Sequence, residues 1–449
     1  MNINKFKETL FNRGMDHGFS QMELFKNGNK SFDLRVFEQQ IDHYEINENE
    51  GIGLRAIFEG KVGYAYTEKI NNKAIEELLQ NVKQNAEITD KQDEEIFPGS
   101  NNYRDLNTYS QNLKKIKTAD KIDLVKSLEN KAFERDERVS AVNYCIYSDS
   151  EFKYSIFNTH GLNLSHKNNI AYLYLSVVVN DNDNIKTCAK HEITQDYSEF
   201  EPEALAHKVV DEAVSLLGAR SIPSEKYPVI LRHDVAAELL SAFSSPFSAE
   251  NVQKGMSLFK DKLGEKVADE NLTIIDDPFL KKGFAATPFD AEGVATVKKN
   301  VIENGVLTTY LHNLKTAKKD GVKSTGNAYR GSHKSYIDIA PTNMYIKPGE
   351  TGYDKMINSI NKGVLITKLQ GLHAGANSVS GEFSISASGY FIEKGDIKNP
   401  VEQITIAGNF LDLLKNIEII GEDLKMGLPG TSHIGSPSIK VRELDIAGE

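Results

Sequence analysis

Three stretches of this chain carry residue types that metal, acid–base or carboxylate chemistry needs. The first is His191-Glu192-Ile193-Thr194-Gln195. A zinc hydrolase helix has the same opening, but a second histidine four positions on shares the metal while the glutamate acts as base. Here Gln195 stands in that place, and Thr194 and Asp196 leave no amphipathic helical face, so the run reads as a solvated surface segment. The second stretch is 228–240, where a short apolar strand passes through Arg232 and His233 directly into a helix carrying Asp234 and Glu238. Asp234 near a helix N-terminus suits the dipole, and its like-charged neighbour Glu238 four positions on repels it mildly. The third is the loop 325–330, rich in small residues. It reads either as a surface connection or as the wall of a peptide groove, in which Arg330 grips a carboxylate with its two-pronged guanidinium. His373 and Asn377, in a glycine-rich loop of their own, would join Arg330 in binding substrate under the second reading. Other chemistries lack their signatures. No Gly-x-Ser-x-Gly or Gly-Lys-Ser/Thr occurs, Gly51-Ile52-Gly53 has no third glycine, and neither Cys145 nor Cys188 has a local sequence that suggests a thiolate–histidine pair.

These residues need elements to hold them. Periodicity places helices over 4–17, 71–87, 120–134, 201–217 and 235–243. Strand-like runs fall at 22–26, 31–38, 43–47 and 53–59, with Asn27-Gly28-Asn29 as a hairpin turn, then at 139–147, 152–158, 170–180 and 335–345. The stretch 219–228 has Pro223 and Pro228, no periodicity and a helix before it, which makes it the domain boundary. The expected fold class is α+β. An N-terminal domain (1–222) combines antiparallel strands with helices, and a C-terminal domain (223–449) is β-rich. A chain of 449 residues is ample for large cores. A net charge of −11 leaves no electrostatic footprint for nucleic acid or anionic membrane. Two cysteines are too few for a disulfide framework. With no apolar leader and no run of about 20 apolar residues, a cytoplasmic protein is expected.

The longest distinctive motifs lie in the C-terminal half. They are the run from His373 through Gly381-Glu382-Phe383 and Gly389-Tyr390-Phe391 to Gly395, and the segment 400–409. Asp276-Asp277-Pro278, Thr287-Pro288-Phe289-Asp290-Ala291-Glu292-Gly293 and Gly305-Val306-Leu307-Thr308-Thr309-Tyr310 come before them, and Gly51-Ile52-Gly53-Leu54-Arg55 and Gly63-Tyr64-Ala65-Tyr66 earlier still. Together they resemble the TldD/PmbA family, whose members form two-subunit peptidases, and the PmbA (TldE) side more than the TldD side. TldD-type members place His-Glu-x-x-x-His at the strand-to-helix run. Histidines five positions apart are splayed by about 140° on an ideal helix and need a widened turn to share a metal. The matching positions here are His233, Asp234 and Glu238. TldD-type members also supply a cysteine in a Gly-Thr-Cys-Gly context. Ser432 stands at that position here, with His433 beside it, and a hydroxyl is a poor zinc ligand next to a thiolate.

The resemblance therefore implies a PmbA/TldE-like metalloprotease subunit with no complete metal site and no cofactor of its own. Zinc would sit in a TldD-like partner, the pair would form a heterodimer, and the substrate would be an unstructured peptide held as an added strand. Two alternatives stay open: a self-sufficient metallopeptidase using His233 and Glu238, and a non-catalytic homodimeric peptide-binding protein.

Overall fold

The computed structural model describes residues 1–449 apart from 91–94, 101 and 183. Its N-terminal half is organised by one long hairpin. β1 (Phe19–Phe37) and β2 (Gln40–Phe58) pair antiparallel and turn at Glu38 and Gln39, both left-handed at φ 50° and 61°. Asn27-Gly28-Asn29 is not the turn. Gly28 lies mid-strand, opposite Glu50 in β2 and, on the other edge, Lys153 in a later strand. A glycine flanked by asparagines turns the chain only where no neighbouring strand claims its backbone, and here both edges of β1 are taken.

β3 (Lys61–Thr67), β4 (Val139–Asn158), β5 (Asn163–Asp181) and β6 (Asn184–Thr194) complete an antiparallel sheet ordered β3-β2-β1-β4-β5-β6. β4 runs unbroken where sequence alternation gives two strands. A strand of 19 residues spans roughly 60 Å, long enough to carry two separate cores along its length. α1 (Ile3–Asp16) and α2 (Asn72–Glu87) cover one end through Phe6, Leu10, Ile75 and Leu78. α3 (Thr118–Arg135) and α4 (Pro202–Ser215) cover the other through Val125, Leu128, Leu205 and Val209. The helix starts follow local chemistry: the side chains of Asn2 and Asn71 accept the Lys5 and Ala74 N–H, each at 2.9 Å.

The C-terminal half starts with β7 (Glu225–Leu231), whose Val229, Ile230 and Leu231 are fully buried. β7 pairs parallel to the strand Lys362–Gln370 and antiparallel to Ile439–Ala447, so it is a central strand with apolar side chains on both faces. Glu382–Glu393 and Asp396–Asn409 extend the sheet, and the latter pairs back onto Ile439–Ala447, closing a ring of five strands. A second six-stranded sheet packs into the same core and includes Ile274–Asp276, Asn343–Ile346 and His433–Ser436. The continuous strand expected over 335–345 is broken into Asp338–Ile339 and Asn343–Ile346. Pro341, between them, has no N–H to give a ladder. The fold is α+β, with antiparallel strands and helices first and a β-rich C-terminal half. Among the described residues no helix is long and apolar enough to cross a membrane.

Candidate functional site

Arg232 keeps an extended backbone and α5 (His233–Ala242) begins at once. Val235, Ala236, Leu239 and Leu240 of α5 are buried against the C-terminal core. His233, Asp234 and Glu238 therefore face a cavity of about 1010 Å³. Its opposite wall is built by β6 and α4 of the N-terminal half, through Cys188, Lys190, His191, Lys208 and Glu212. His191 thus lies on a strand, not on the surface segment expected. It stacks on Tyr172 at 6.0 Å and faces the cavity, and burial holds its pKa below the ordinary value. Sequence misplaced it because strand alternation shows little over so few residues once both faces are covered.

Four charged groups tie the two walls together. Arg232 holds Asp234 with two hydrogen bonds, Nε to Oδ1 at 2.7 Å and Nη2 to Oδ2 at 2.6 Å, and reaches Glu212 at 3.0 Å. Lys190 lies 2.7 Å from Glu212 and 3.5 Å from Asp234. Burial alone would raise the Asp234 pKa, but the Arg232 hydrogen bonds and charge, with Lys190, override it and hold it well below the carboxylate range. Glu238 is open to the solvent of the cavity. Burial against the cavity wall and then the Asp234 charge push its pKa up to about 7. The His233 N–H donates to Ser438 Oγ at 3.0 Å, while its ring Nδ1 is buried without a hydrogen-bond partner. Burial lowers the His233 pKa to about 4, so the ring is neutral at pH 7.

The donor set does not fit a zinc ion. α5 is a regular helix without a widened turn, so His233 and Glu238 are splayed by about 140° on its surface. Both oxygens of Asp234 are engaged by Arg232. His433 is spent elsewhere: its Nδ1 accepts the Phe284 N–H at 3.1 Å and its Nε2 donates to the Gly427 carbonyl at 2.9 Å. Ser432 is not among the residues lining the cavity. Among the described residues no group of three or more His, Cys, Asp or Glu side chains is placed to hold a metal.

The three residues expected to bind substrate do not come together. His373 is exposed and lines the same cavity as His233. Asn377 sits in an adjacent groove, where its Oδ1 accepts the Val379 and Ser380 N–H at 3.0 and 3.2 Å and so fixes a turn. Arg330 lines a different cavity of about 510 Å³ between β1, β4 and the C-terminal loops. Its guanidinium is 3% exposed, pairs with Glu23 and lies over the Phe25 ring at 4.9 Å. The carboxylate that Arg330 grips is thus the chain's own, in a buried network that sequence had no means to show. Lys190, Lys208, Glu212 and Lys425 were also passed over, since lysines and a glutamate scattered along a chain form no motif.

Comparisons with known proteins bear on the family and the fold. Models of the PmbA/TldA metallopeptidase domain 1, central domain and C-terminal domain match residues 22–86, 111–217 and 224–448. The chain is 27% identical over 418 residues to the metalloprotease PmbA of Escherichia coli O157:H7, covering 91% of this chain and 88% of that one. It is 36% identical to a putative modulator of DNA gyrase from Thermotoga maritima MSB8, whose crystal structure matches with a TM-score of 0.92 over 99% of this chain and 100% of that one. TldE from Thermococcus kodakarensis, at 24% identity, shares the fold with a TM-score of 0.90 over 99% of this chain and 100% of that one. Three family models in sequence order, the last spanning the half of the chain that contains α5, show that this protein belongs to the PmbA/TldD family.

Proposed function

We propose that this chain is the PmbA/TldE-type subunit of a cytoplasmic metalloprotease that acts on unstructured peptides, with zinc and hydrolysis supplied by a TldD-like partner. The observation that carries the reading is the fate of Asp234. A metal-assisted hydrolase needs a carboxylate free to take a proton from water and a second imidazole on the metal. Here the carboxylate is locked by Arg232 and Lys190, and the second ligand position is Glu238, on a diverging face of α5. The family membership, together with the metalloprotease names of its relatives, supports the peptidase context. The subunit's own part would be to enclose and hold the peptide. β6 is an edge strand on the cavity wall, and main-chain groups of an edge can take an extended peptide as a further strand.

Reconstitution tests this. The chain alone, offered an unstructured peptide, is expected to leave it intact. Adding a TldD-like subunit with an intact His-Glu-x-x-x-His helix should give cleavage that a chelator stops. Chelator-sensitive cleavage by this chain alone, abolished by His233→Ala, would establish the self-sufficient peptidase instead.

A further inference from the structure

The cavity beside α5 carries more positive charge than its carboxylates balance. Five cations line it: Lys190, Lys208, Arg232, Lys368 and Lys425. Against them stand Glu212, Asp234 and Glu238. Glu212 and Asp234 are consumed by Lys190 and Arg232. Among the described residues, Lys208 and Lys425 form no ion pair, and Lys368 reaches only the Thr187 carbonyl at 3.4 Å. The excess is local, because the chain as a whole has a net charge of −11.

The crowding is visible in Lys208. Burial in the wall lowers its pKa first, and repulsion from Lys425, Lys190 and Arg232 lowers it further. Unneutralised ammonium groups facing one another across a protein-walled space raise the free energy of the empty cavity. An anion between them relieves it through charge-assisted hydrogen bonds.

We propose that this cavity receives peptide carboxylates, with Lys208 on α4 and Lys425 on the opposing hairpin as the receiving groups, so that acidic segments are the preferred peptide ligands of this subunit. The inference rests on the peptide-holding reading above and adds a substrate class to it. A carboxylate can come from Asp and Glu side chains or from a free C-terminus, and the two share one chemistry.

The test is fluorescence anisotropy on the full chain with three labelled octapeptides. One is rich in Asp and Glu, one is the same peptide amidated at its C-terminus, and one is its Asn/Gln isostere. The acidic peptide is expected to bind at least about tenfold more tightly than the isostere, with an advantage that shrinks as salt rises. Lys208→Gln and Lys425→Gln should each remove about threefold or more of that advantage without lowering Tm. Lys208 and Lys425 are both exposed at the cavity, so either variant carries the test if the other folds poorly. Undiminished binding after amidation, with the isostere binding weakly, identifies the side chains as the recognised groups, whereas weakened binding after amidation, with the isostere binding as well as the acidic peptide, identifies the C-terminal carboxylate. Equal binding of the isostere refutes the acidic preference and leaves the peptide-holding reading intact. Failure of all three peptides to bind refutes both.

Discussion

Replacing Arg330 by alanine strips one cation from a buried network, and the network sets the cost. The side chains of Glu23, Arg55, Glu292 and Arg330 are between 0% and 3% exposed. Arg330 pairs through Nη2 with one oxygen of Glu23, and Arg55 lies 3.3 Å from the other and 3.2 Å from Glu292. The Leu314 N–H completes Glu292 at 2.8 Å. Breaking a buried ion pair by removing one partner costs about 3–5 kcal/mol, because the remaining charge stays desolvated. Arg55 still faces Glu23, which places Arg330→Ala near the lower end, about 3 kcal/mol. For a cooperative unit of 150–250 residues each kcal/mol moves Tm by about 2–4 °C, so a drop of roughly 6–12 °C is expected. Arg330→Lys should be milder. Only one guanidinium nitrogen reaches Glu23, and an ammonium can keep that single contact, losing about 1 kcal/mol with the Phe25 face. Thermal unfolding of both variants, beside peptide anisotropy, is the assay. An alanine variant with unchanged Tm and weakened peptide binding would refute the structural assignment and return Arg330 to the ligand site.

The other expectations concern metal, pH and the α5 cavity. Zinc analysis of the chain purified alone should give well under one ion per chain; a full equivalent that His233→Ala abolishes would overturn the donor-set argument. Burial lowers the His433 pKa from 6.5 to about 4, so the unfolded chain binds a proton there that the folded chain refuses between those values. That contribution, on the order of 3 kcal/mol, is present above pH 6.5 and lost as pH falls toward 4, and His433→Gln should flatten the fall of stability over that window. Asp234→Asn removes the anion that occupies Arg232, so it should lower Tm yet bind the acidic octapeptide severalfold more tightly; weaker binding would mean that Asp234 holds the cavity's cations in their receiving positions.

Much of the fold was legible wherever the chain itself supplies the signal. Asn2, Asn71 and Pro202 mark helix starts, and Gly218, left-handed at φ 76°, follows the end of α4. The first hairpin was misread because its turn uses Glu38 and Gln39, residues that seldom adopt positive φ, while the more obvious Asn27-Gly28-Asn29 is held flat by strands on both sides. α5 was placed two residues late, since His233 and Asp234 are polar and the apolar period starts only at Val235. The candidate site was half legible. His233, Asp234 and Glu238 stand next to one another along the chain, and their departure from a zinc motif could be read directly. The cations could not, because Lys190, Lys208 and Lys425 meet only when a sheet edge, a helix and a hairpin from different parts of the chain close on one space.

Shortening one side chain has a consequence beyond the loss of a base. A general base is effective when its pKa lies near the working pH. Asp234 is held far below that by Arg232 and Lys190, so at neutral pH it is a permanent anion that accepts no proton. Its charge in turn helps to raise Glu238, the one carboxylate here whose pKa, about 7, would suit proton transfer. Glu238, however, stands at the second-ligand position of the TldD-type motif, on a face of α5 that diverges from His233. The arrangement separates the two halves of a hydrolytic site: the fixed charge goes into bracing two walls of a cavity, and the titratable group faces its solvent. What remains around α5 is a cation-rich enclosure, which under the proposed reading holds an anionic peptide while the partner cuts it.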